Sequence, residues 1–205
     1  MMDHPSSPLM PLLPPHGRRQ RIGIFGGSFN PAHAAHRLVS LTALRRLRLD
    51  AVWWLVTPGN PLKDKRDLPS TTTRVVAARH IAAHPRIHVI AIEERLGSSY
   101  TYDLIAYLKR RSSTARFVWI MGADNLAGFH HWARWQEIAA AVPIAVIDRP
   151  GSTHHALRAP AALALNSFRV PESKAAVLAT RTAPALMVLH GPRSNLSSTA
   201  LRQRH

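Results

Sequence analysis

The sequence predicts an α/β fold in which a mainly parallel sheet is covered by helices on both faces, within a single domain. Short apolar runs alternate along the chain with longer segments of helical pattern, which is the order of parallel strands joined by crossover helices. The apolar runs contain few polar residues, as expected for strands buried on both faces. The length of 205 residues suits one domain with a sizeable core.

The first half of the chain contains three predicted strands. RIGIF, residues 21–25, is the first strand, and a helix over 31–48 follows it after a tight turn. AVWWLV, residues 51–56, is the second, because it is a short apolar run that ends at the turn sequence TPGNP. A helix over 72–83 then leads to the strand RIHVIAI at 86–92.

The second half continues the same order. Helices are predicted over 102–111 and 132–141, and strands over 116–121, 143–147 and 185–190, before a short final helix. Between 150 and 184 the pattern weakens, because Pro, Ala and His dominate there. This alternation predicts a Rossmann-like sheet, in which ligands bind at the carboxyl ends of the strands.

Composition limits the classes of function. The net charge of +16 indicates an anionic partner, either nucleic acid or a small polyphosphate substrate. The hydrophobic fraction of 46% is too high for a disordered protein. Cysteine is absent, which excludes disulfides, thiolate metal sites and a cysteine nucleophile.

The start of the chain is predicted to be a flexible tail. Residues 1–20 are rich in proline and lack the uninterrupted apolar run of a signal peptide. No later stretch approaches the roughly 20 apolar residues needed to cross a bilayer. We therefore expect a domain over 21–205, a cytoplasmic location and no membrane partner.

GIFGGSFNPAHAAHR, residues 23–37, has the composition of a phosphate-binding turn. Asn30 is a good helix cap, and Pro31 suits the first helical position, so both predict a helix start. Gly26 and Gly27 permit strained dihedral angles and leave backbone N–H groups unshielded. Together with the helix N-terminus they predict an anion site.

His33 and His36 lie three residues apart, on neighbouring positions of one helix face. Either imidazole can donate a hydrogen bond to a phosphate oxygen. A single histidine among thirteen more often has a surface or packing role. Metal binding is a further alternative, but the motif contains no carboxylate or third ligand. Two histidines beside the glycine turn favour phosphate binding.

A second anion site is predicted near the other end of the chain. In LSSTALR, residues 196–202, Ser197 or Ser198 would cap a last helix with its hydroxyl and N–H groups. Arg202 follows about one turn later and adds a positive charge.

Both ends of the chain resemble the nucleotidyltransferase superfamily. GGSFNPAHAAH resembles the signature Gly-x-Phe-Asp/Asn-Pro-x-His-x-Gly-His, which binds ATP phosphates, although Ala35 stands where Gly is usual and Asn30 where Asp is common. LSSTALR resembles the motif Ile-Ser-Ser-Thr-x-Ile-Arg, which holds those phosphates from the opposite side. The resemblance implies catalytic roles for His36, His33 and Arg202. It also implies ATP contacts at Gly26, Gly27, Ser28, Phe29, His33, His36, Ser197, Ser198 and Arg202.

Three central segments resemble bacterial nicotinate mononucleotide adenylyltransferases. These segments are VTPGNPLKD at 56–64, SSYTYDLIAYL at 98–108 and MGADNLAGFHHWARWQEI at 121–138. In the third, Gly122 follows a predicted strand and permits close approach of ATP, while Asp124 can bind ribose hydroxyls. The alternative for Asp124 is a helix cap.

The same resemblance implies where the mononucleotide binds. A planar pyridine ring needs an aromatic face, which Trp132 and Trp135 can supply, with core packing as the alternative. The other implied contacts to nicotinate mononucleotide are Asn60, Lys63, Tyr100, Thr101 and Arg149.

The resemblance implies adenylyl transfer from ATP to nicotinate mononucleotide, which gives nicotinate adenine dinucleotide and pyrophosphate in NAD biosynthesis. Mg²⁺ would enter with ATP, and no nucleic-acid partner is expected. The alternative acceptors are nicotinamide mononucleotide and phosphopantetheine. A more distant alternative is a basic RNA-binding domain, which would require clustered arginines among exposed aromatic residues.

Overall fold

Six strands form one sheet in the computed structural model, which describes residues 13–58, 68–92, 96–98, 100–148 and 153–191. The strands are β1 (Arg21–Gly27), β2 (Ala51–Val56), β3 (Ile87–Ile90), β4 (Arg116–Gly122), β5 (Ile144–Ile147) and β6 (Leu186–Leu189). All neighbouring pairs are parallel, and their order across the sheet is β3-β2-β1-β4-β5-β6. The predicted fold class, a parallel α/β sheet in one domain, is confirmed.

Helices cover both faces of the sheet. They are α1 (Ala34–Arg46), α2 (Thr71–Ala82), α3 (Thr101–Arg111), α4 (Ala123–Ala127), α5 (Trp135–Ala141), α6 (Thr153–Leu157) and α7 (Pro160–Ala164), with 3₁₀ helices at Phe129–His131, Asn166–Phe168 and Glu172–Thr180. One apolar cluster packs α1, α2 and the 3₁₀ helix Glu172–Thr180 against the sheet. The other cluster packs the five helices α3, α4, α5, α6 and α7 against the sheet. Within the described ranges, no helix has the length and apolarity needed to cross a bilayer.

The two tryptophans of β2 show why the strands are apolar throughout. Trp53 belongs to the cluster under α3–α7, whereas Trp54 belongs to the cluster under α1 and α2, and each is 0% exposed. Successive side chains point to opposite faces of a strand, so a sheet covered on both faces must be apolar at every position. Each buried aromatic side chain contributes about 2–3 kcal/mol relative to an exposed one.

Within the described ranges the predicted strands and helices are present, but two helices begin three residues later than predicted. The helix predicted over 132–141 begins at Trp135. The helix predicted over 31–48 begins at Ala34 instead, because the backbone of His33 is still extended, with φ of −151° and ψ of 168°. His33 is the residue that precedes the first helical turn. The weakly patterned region contains α6, α7 and two 3₁₀ helices, whereas the predicted final helix lies outside the described residues.

Residues 13–20 of the predicted tail lie against the fold. The His16 ring contacts the Trp53 ring edge to face, with centroids 5.3 Å apart. The backbone N–H of Arg19 donates to the Thr114 carbonyl at 2.9 Å, and that of Arg116 donates to the Gln20 carbonyl at 2.8 Å. The division into a tail of 1–20 and a domain of 21–205 stays a prediction.

Glu172 connects the end of α1 to the end of β6. Its Oε1 accepts from the Arg46 guanidinium at 2.7 Å and from the His190 backbone N–H at 3.0 Å. Its Oε2 lies 2.8 Å from Nδ1 of His190. Burial raises the pKa of Glu172, but the hydrogen bonds from His190 and Arg46 outweigh burial and hold the pKa below its ordinary value.

We expect Glu172→Gln to lower the free energy of unfolding by about 1 kcal/mol at neutral pH, because the variant loses charge-assisted hydrogen bonds. A carboxyl group whose pKa is lower in the folded than in the unfolded protein stabilises the fold fully at a pH above its unfolded-state pKa, which is about 4.3 for glutamate. This stabilisation is lost as the pH falls through the pKa of the folded state. The difference in Tm between wild type and variant should therefore shrink below about pH 4. A difference that stays constant from neutral to acid pH would contradict this role.

Candidate active site

The strand order places a crevice between β1 and β4. From β1 the chain proceeds to β2 and β3 on one side, and from β4 to β5 and β6 on the other. Such a reversal separates the loops at the carboxyl ends of the two central strands and makes the ligand crevice of open α/β sheets. Gly27 ends β1 and Gly122 ends β4, so two of the predicted glycine positions lie at this point.

The turn predicted to bind phosphate differs from the prediction in one respect. Gly26 and Gly27 are the last residues of β1 and pair in register with Leu55 and Val56, so they are not the strained residues. The left-handed residue is Phe29, with φ of 46°. A non-glycine residue in this region costs of order 1–3 kcal/mol and persists only where its surroundings hold it.

Packing explains both the glycine at position 26 and the conformation of Phe29. A Cβ on Gly26 would lie 2.7 Å from Cη2 of Trp119, so the indole of β4 occupies the place of a side chain. The Phe29 ring is 2% exposed and stacks on Trp54 at 4.8 Å, with 12° between the planes. The backbone of residues 26–29 is therefore fixed by its own aromatic contacts.

Replacement of Gly26 by alanine is expected to lower the free energy of unfolding by about 1–3 kcal/mol, because the new Cβ would overlap the indole of Trp119, which is only 2% exposed. Gly27→Ala is the matched control, because its Cβ would lie 3.4 Å from the Phe29 ring, which is tolerable contact. Urea unfolding of both variants tests this difference. Equal losses of stability in the two variants would refute the steric role of Trp119.

His33 and His36 meet at the start of α1. Their ring centroids are 3.9 Å apart; His33 is buried at 4% exposure, and His36 is half-buried. The backbone N–H of His33 donates to Nδ1 of His36 at 3.2 Å. A nitrogen that accepts a hydrogen bond carries no proton, so this contact assigns the neutral tautomer of His36 with its proton on Nε2.

A buried chain of hydrogen bonds holds His36 in place. The Ser40 hydroxyl donates to the His36 carbonyl at 2.9 Å, and Nε1–H of Trp54 donates to the same hydroxyl at 2.7 Å. The His36 ring also lies against Phe29 and Phe25, with centroids 4.9 and 5.9 Å away. The ring is thereby oriented by β1, β2 and α1 together.

Trp132 and Trp135 are both half-buried and share one partner. The ring of Phe129, which is fully buried, meets Trp132 edge to face at 5.4 Å and Trp135 at 5.8 Å. Trp132 also meets Trp119 at 6.1 Å, the indole that covers Gly26. Aromatic contacts therefore connect the predicted pyridine site to the predicted phosphate site.

The start of α3 lies beside the start of α5. The Arg134 guanidinium lies 3.6 Å from the Tyr102 ring centroid and donates twice to Glu137, each time at 2.7 Å. The hydrogen bond from Arg134 lowers the pKa of Glu137. Tyr100, which is 51% exposed, and Thr101 begin α3, so both lie one or two residues from this contact.

Of the remaining predicted site residues, some belong to the described part of the chain and others do not. Gly122 is buried and directly precedes α4, and Asp124 is an exposed acid in the first turn of that helix. Six predicted site residues lie outside the described residues: Asn60, Lys63, Arg149, Ser197, Ser198 and Arg202.

Sequence reasoning missed the contacts of Arg74 and Ser40. Both residues are buried, Arg74 at 3% exposure and Ser40 at 0%. One signal for Arg74 was available: it lies in the buried stripe of α2, with Thr71, Ala78 and Ala82. An arginine within such a stripe indicates a buried polar partner, since arginine is seldom buried unless it is paired.

Comparisons with known proteins identify the family of the whole chain. The model of the cytidylyltransferase-like family matches residues 24–204. A probable nicotinate-nucleotide adenylyltransferase of Bradyrhizobium sp. (strain ORS 278) is 60% identical over 182 residues, which cover 89% of this chain and 95% of that protein. A protein of the same name from Methylorubrum extorquens is 60% identical over 90% of this chain and 100% of its own length.

Solved structures show the same fold. Plasmodium falciparum nicotinic acid mononucleotide adenylyltransferase, complexed with NaAD, matches with a TM-score of 0.67 at 18% identity, over 90% of this chain and 83% of that chain. At 18% identity the structural likeness shows only a shared fold. The relatives that are 60% identical show the family. This chain belongs to the cytidylyltransferase-like family and, within it, to the nicotinate-nucleotide adenylyltransferases.

Proposed function

We propose that this protein transfers the adenylyl group of ATP to the 5′-phosphate of nicotinate mononucleotide. An acceptor phosphate oxygen attacks the α-phosphorus, a new P–O bond forms, and the bond to the β-phosphate breaks. The products are nicotinate adenine dinucleotide and pyrophosphate. One observation carries this proposal: the indole of Trp119 lies against Gly26 of the glycine and histidine turn and also against the ring of Trp132. The turn and the Trp132–Trp135 pair are therefore neighbours.

The chemistry of the acceptor explains why the site needs no strong base. The second pKa of a phosphate monoester is near 6, so the nucleophile is already largely ionised at neutral pH. The protein must bring two negatively charged groups together and stabilise the charge that moves onto the leaving pyrophosphate. Hydrogen-bond donors in fixed positions supply this stabilisation.

His36 is the donor that we assign to the ATP phosphates. Its Nδ1 accepts from the His33 backbone, so Nε2–H is the donor of the ring. The bond from the His33 N–H and the contact with the Phe29 ring fix the direction of that donor before the substrate arrives. We also assign phosphate contacts to the backbone of 26–29 and, on the opposite side, to Ser198 and Arg202.

The acceptor binds on the other side of the crevice in this proposal. Trp135 offers an indole to the pyridine ring, and the Tyr100 hydroxyl and the hydroxyl and N–H of Thr101 are donors for the nicotinate carboxylate. The Tyr100 N–H already donates to the Ser98 hydroxyl at 3.2 Å. The contact between Tyr102 and Arg134 supports a shared site, because it holds the two helix starts together. Lys63 would meet the acceptor phosphate.

We propose that Mg²⁺ enters as its ATP complex. Magnesium usually keeps several waters and binds substrate phosphates with one or two carboxylates, not an all-protein cage. Within the described part of the chain, no three histidine or acidic side chains form a metal-binding group. The use of ATP also fits the cytoplasm as the location of the enzyme.

A labelling experiment tests the reaction itself. ATP radiolabelled at the α-phosphorus is incubated with nicotinate mononucleotide and Mg²⁺, and the products are separated by chromatography. The proposal predicts label in the dinucleotide, while label at the γ-phosphorus appears in pyrophosphate. Label at the α-phosphorus that remains in AMP or ADP would contradict adenylyl transfer.

A further inference from the structure

Arg74 is a buried arginine whose guanidinium bonds to the backbone that follows two neighbouring strands. It is 3% exposed and lies in the first turns of α2. One of its terminal nitrogens donates to the Ser28 carbonyl at 2.8 Å and to the Thr57 carbonyl at 2.7 Å. Its Nε donates to the Pro69 carbonyl at 2.9 Å, and its second terminal nitrogen donates to the Thr71 hydroxyl at 2.9 Å.

The two loop carbonyls follow the carboxyl ends of neighbouring strands. Ser28 comes directly after β1 and belongs to the phosphate-binding turn. Thr57 comes directly after β2 and begins the segment that contains Asn60 and Lys63. The last backbone bond between these strands joins the Thr57 N–H to the Gly27 carbonyl at 3.0 Å. Beyond that bond the two chain segments share no strand pairing, and Arg74 links them by donating to both the Ser28 and the Thr57 carbonyl.

Arginine suits this position for geometric reasons. Its guanidinium is planar and rigid, so a single side chain fixes the directions of several hydrogen bonds at once. Bonds to a charged donor are shorter and about twice as strong as neutral ones. A lysine at the same place has one nitrogen on a flexible chain and cannot keep all four acceptors.

We propose that Arg74 is a positioning residue that sets the distance between the ATP turn and the acceptor loop. The inference rests on the proposed function, because these loops hold the two phosphates that react. In-line attack requires the reacting atoms to lie about 3–3.5 Å apart, and a misplacement of about 1 Å can cost about 100-fold in rate. Arg74 therefore acts on kcat through Ser28 and Thr57, without touching either substrate.

The test compares Arg74→Lys with Thr71→Val. The second variant removes one acceptor of the same guanidinium but leaves both loop bonds intact, so it is the matched control. At saturating concentrations of both substrates, we expect kcat per folded molecule to fall about 100-fold in Arg74→Lys and by less than about threefold in Thr71→Val. The KM of each substrate should change by less than about fivefold, because each loop keeps its own contacts.

Thermal unfolding of each variant gives the folded fraction used in this comparison. A wild-type kcat in Arg74→Lys, or an equal loss in Thr71→Val, would overturn the positioning role. Absence of adenylyl transfer in the wild-type protein would instead refute the proposed function, so the two failures are distinguishable.

A measurement on the wild-type protein covers the case in which Arg74→Lys does not fold. If Arg74 couples the loops, a non-hydrolysable ATP analogue bound alone should slow amide hydrogen exchange in the peptide that spans residues 68–76. We expect the exchange rate there to fall at least about twofold, as for local opening that a bound ligand suppresses. Unchanged exchange in that peptide, with slower exchange in residues 26–37, would overturn the coupling.

Discussion

Alanine at position 36 is expected to lower kcat about 100- to 1000-fold while the KM for ATP rises only a few-fold. Removal of one preorganised donor to the charge that develops in a transition state has an effect of this size. We propose that the Nε2–H of His36 is such a donor, because the bond from the His33 N–H to Nδ1 orients the ring. Steady-state kinetics of His36→Ala at saturating ATP measures the loss.

Two isosteric variants separate the donor from the ring. Glutamine at position 36 places an amide N–H near the position of Nε2, so we expect it to recover part of the lost turnover. Asparagine places its carbonyl near Nδ1 and keeps the acceptor for the His33 N–H, but its shorter side chain has no N–H at the position of Nε2. His36→Asn should therefore be as slow as His36→Ala. Near-normal turnover in His36→Ala, or equal activity in the two amide variants, would contradict the donor role.

Alanine at position 135 is expected to raise the KM for nicotinate mononucleotide about 10- to 100-fold and to leave the KM for ATP nearly unchanged. Stacking of a planar base on an aromatic side chain contributes about 1–3 kcal/mol. Trp135 lies at the start of α5, beside Arg134 and its contact with Tyr102. The predicted carboxylate donors of α3 are therefore near the same indole.

Phenylalanine at position 135 is the matched control, because it keeps an aromatic face and the contact with Phe129. We expect its KM for the mononucleotide to stay within a few-fold of wild type. Trp132→Ala tests the neighbouring indole, which also packs on Trp119. A KM effect confined to Trp132→Ala would assign the pyridine ring to that residue instead.

The alternation of strands and helices could be predicted because each buried strand appears as a short apolar run. AVWWLV is the clearest case, since the predicted and observed bounds of β2 coincide at 51–56. The position of the glycine and histidine turn also followed from the sequence, because the turn comes directly after the first such run. The fold class required no further information.

The details that sequence could not predict depend on contacts between distant segments. The Asn-Pro pair is typical of a helix start, yet α1 begins three residues after Pro31. The glycine at position 26 suggested a strained turn. Glycine is needed there because the indole of Trp119, more than ninety residues later in the chain, occupies the space of a side chain. Arg74 has the residue type of a solvated helix face, and its partners become apparent only when β1 and β2 lie side by side.

Acceptor choice is the most direct test of the central claim. Pyrophosphate release is measured with ATP, Mg²⁺ and, in separate reactions, nicotinate mononucleotide, nicotinamide mononucleotide and phosphopantetheine at equal concentrations. Our account predicts rapid release with nicotinate mononucleotide and much slower release with the other two acceptors. Release with phosphopantetheine alone, or with none of the three, would contradict it.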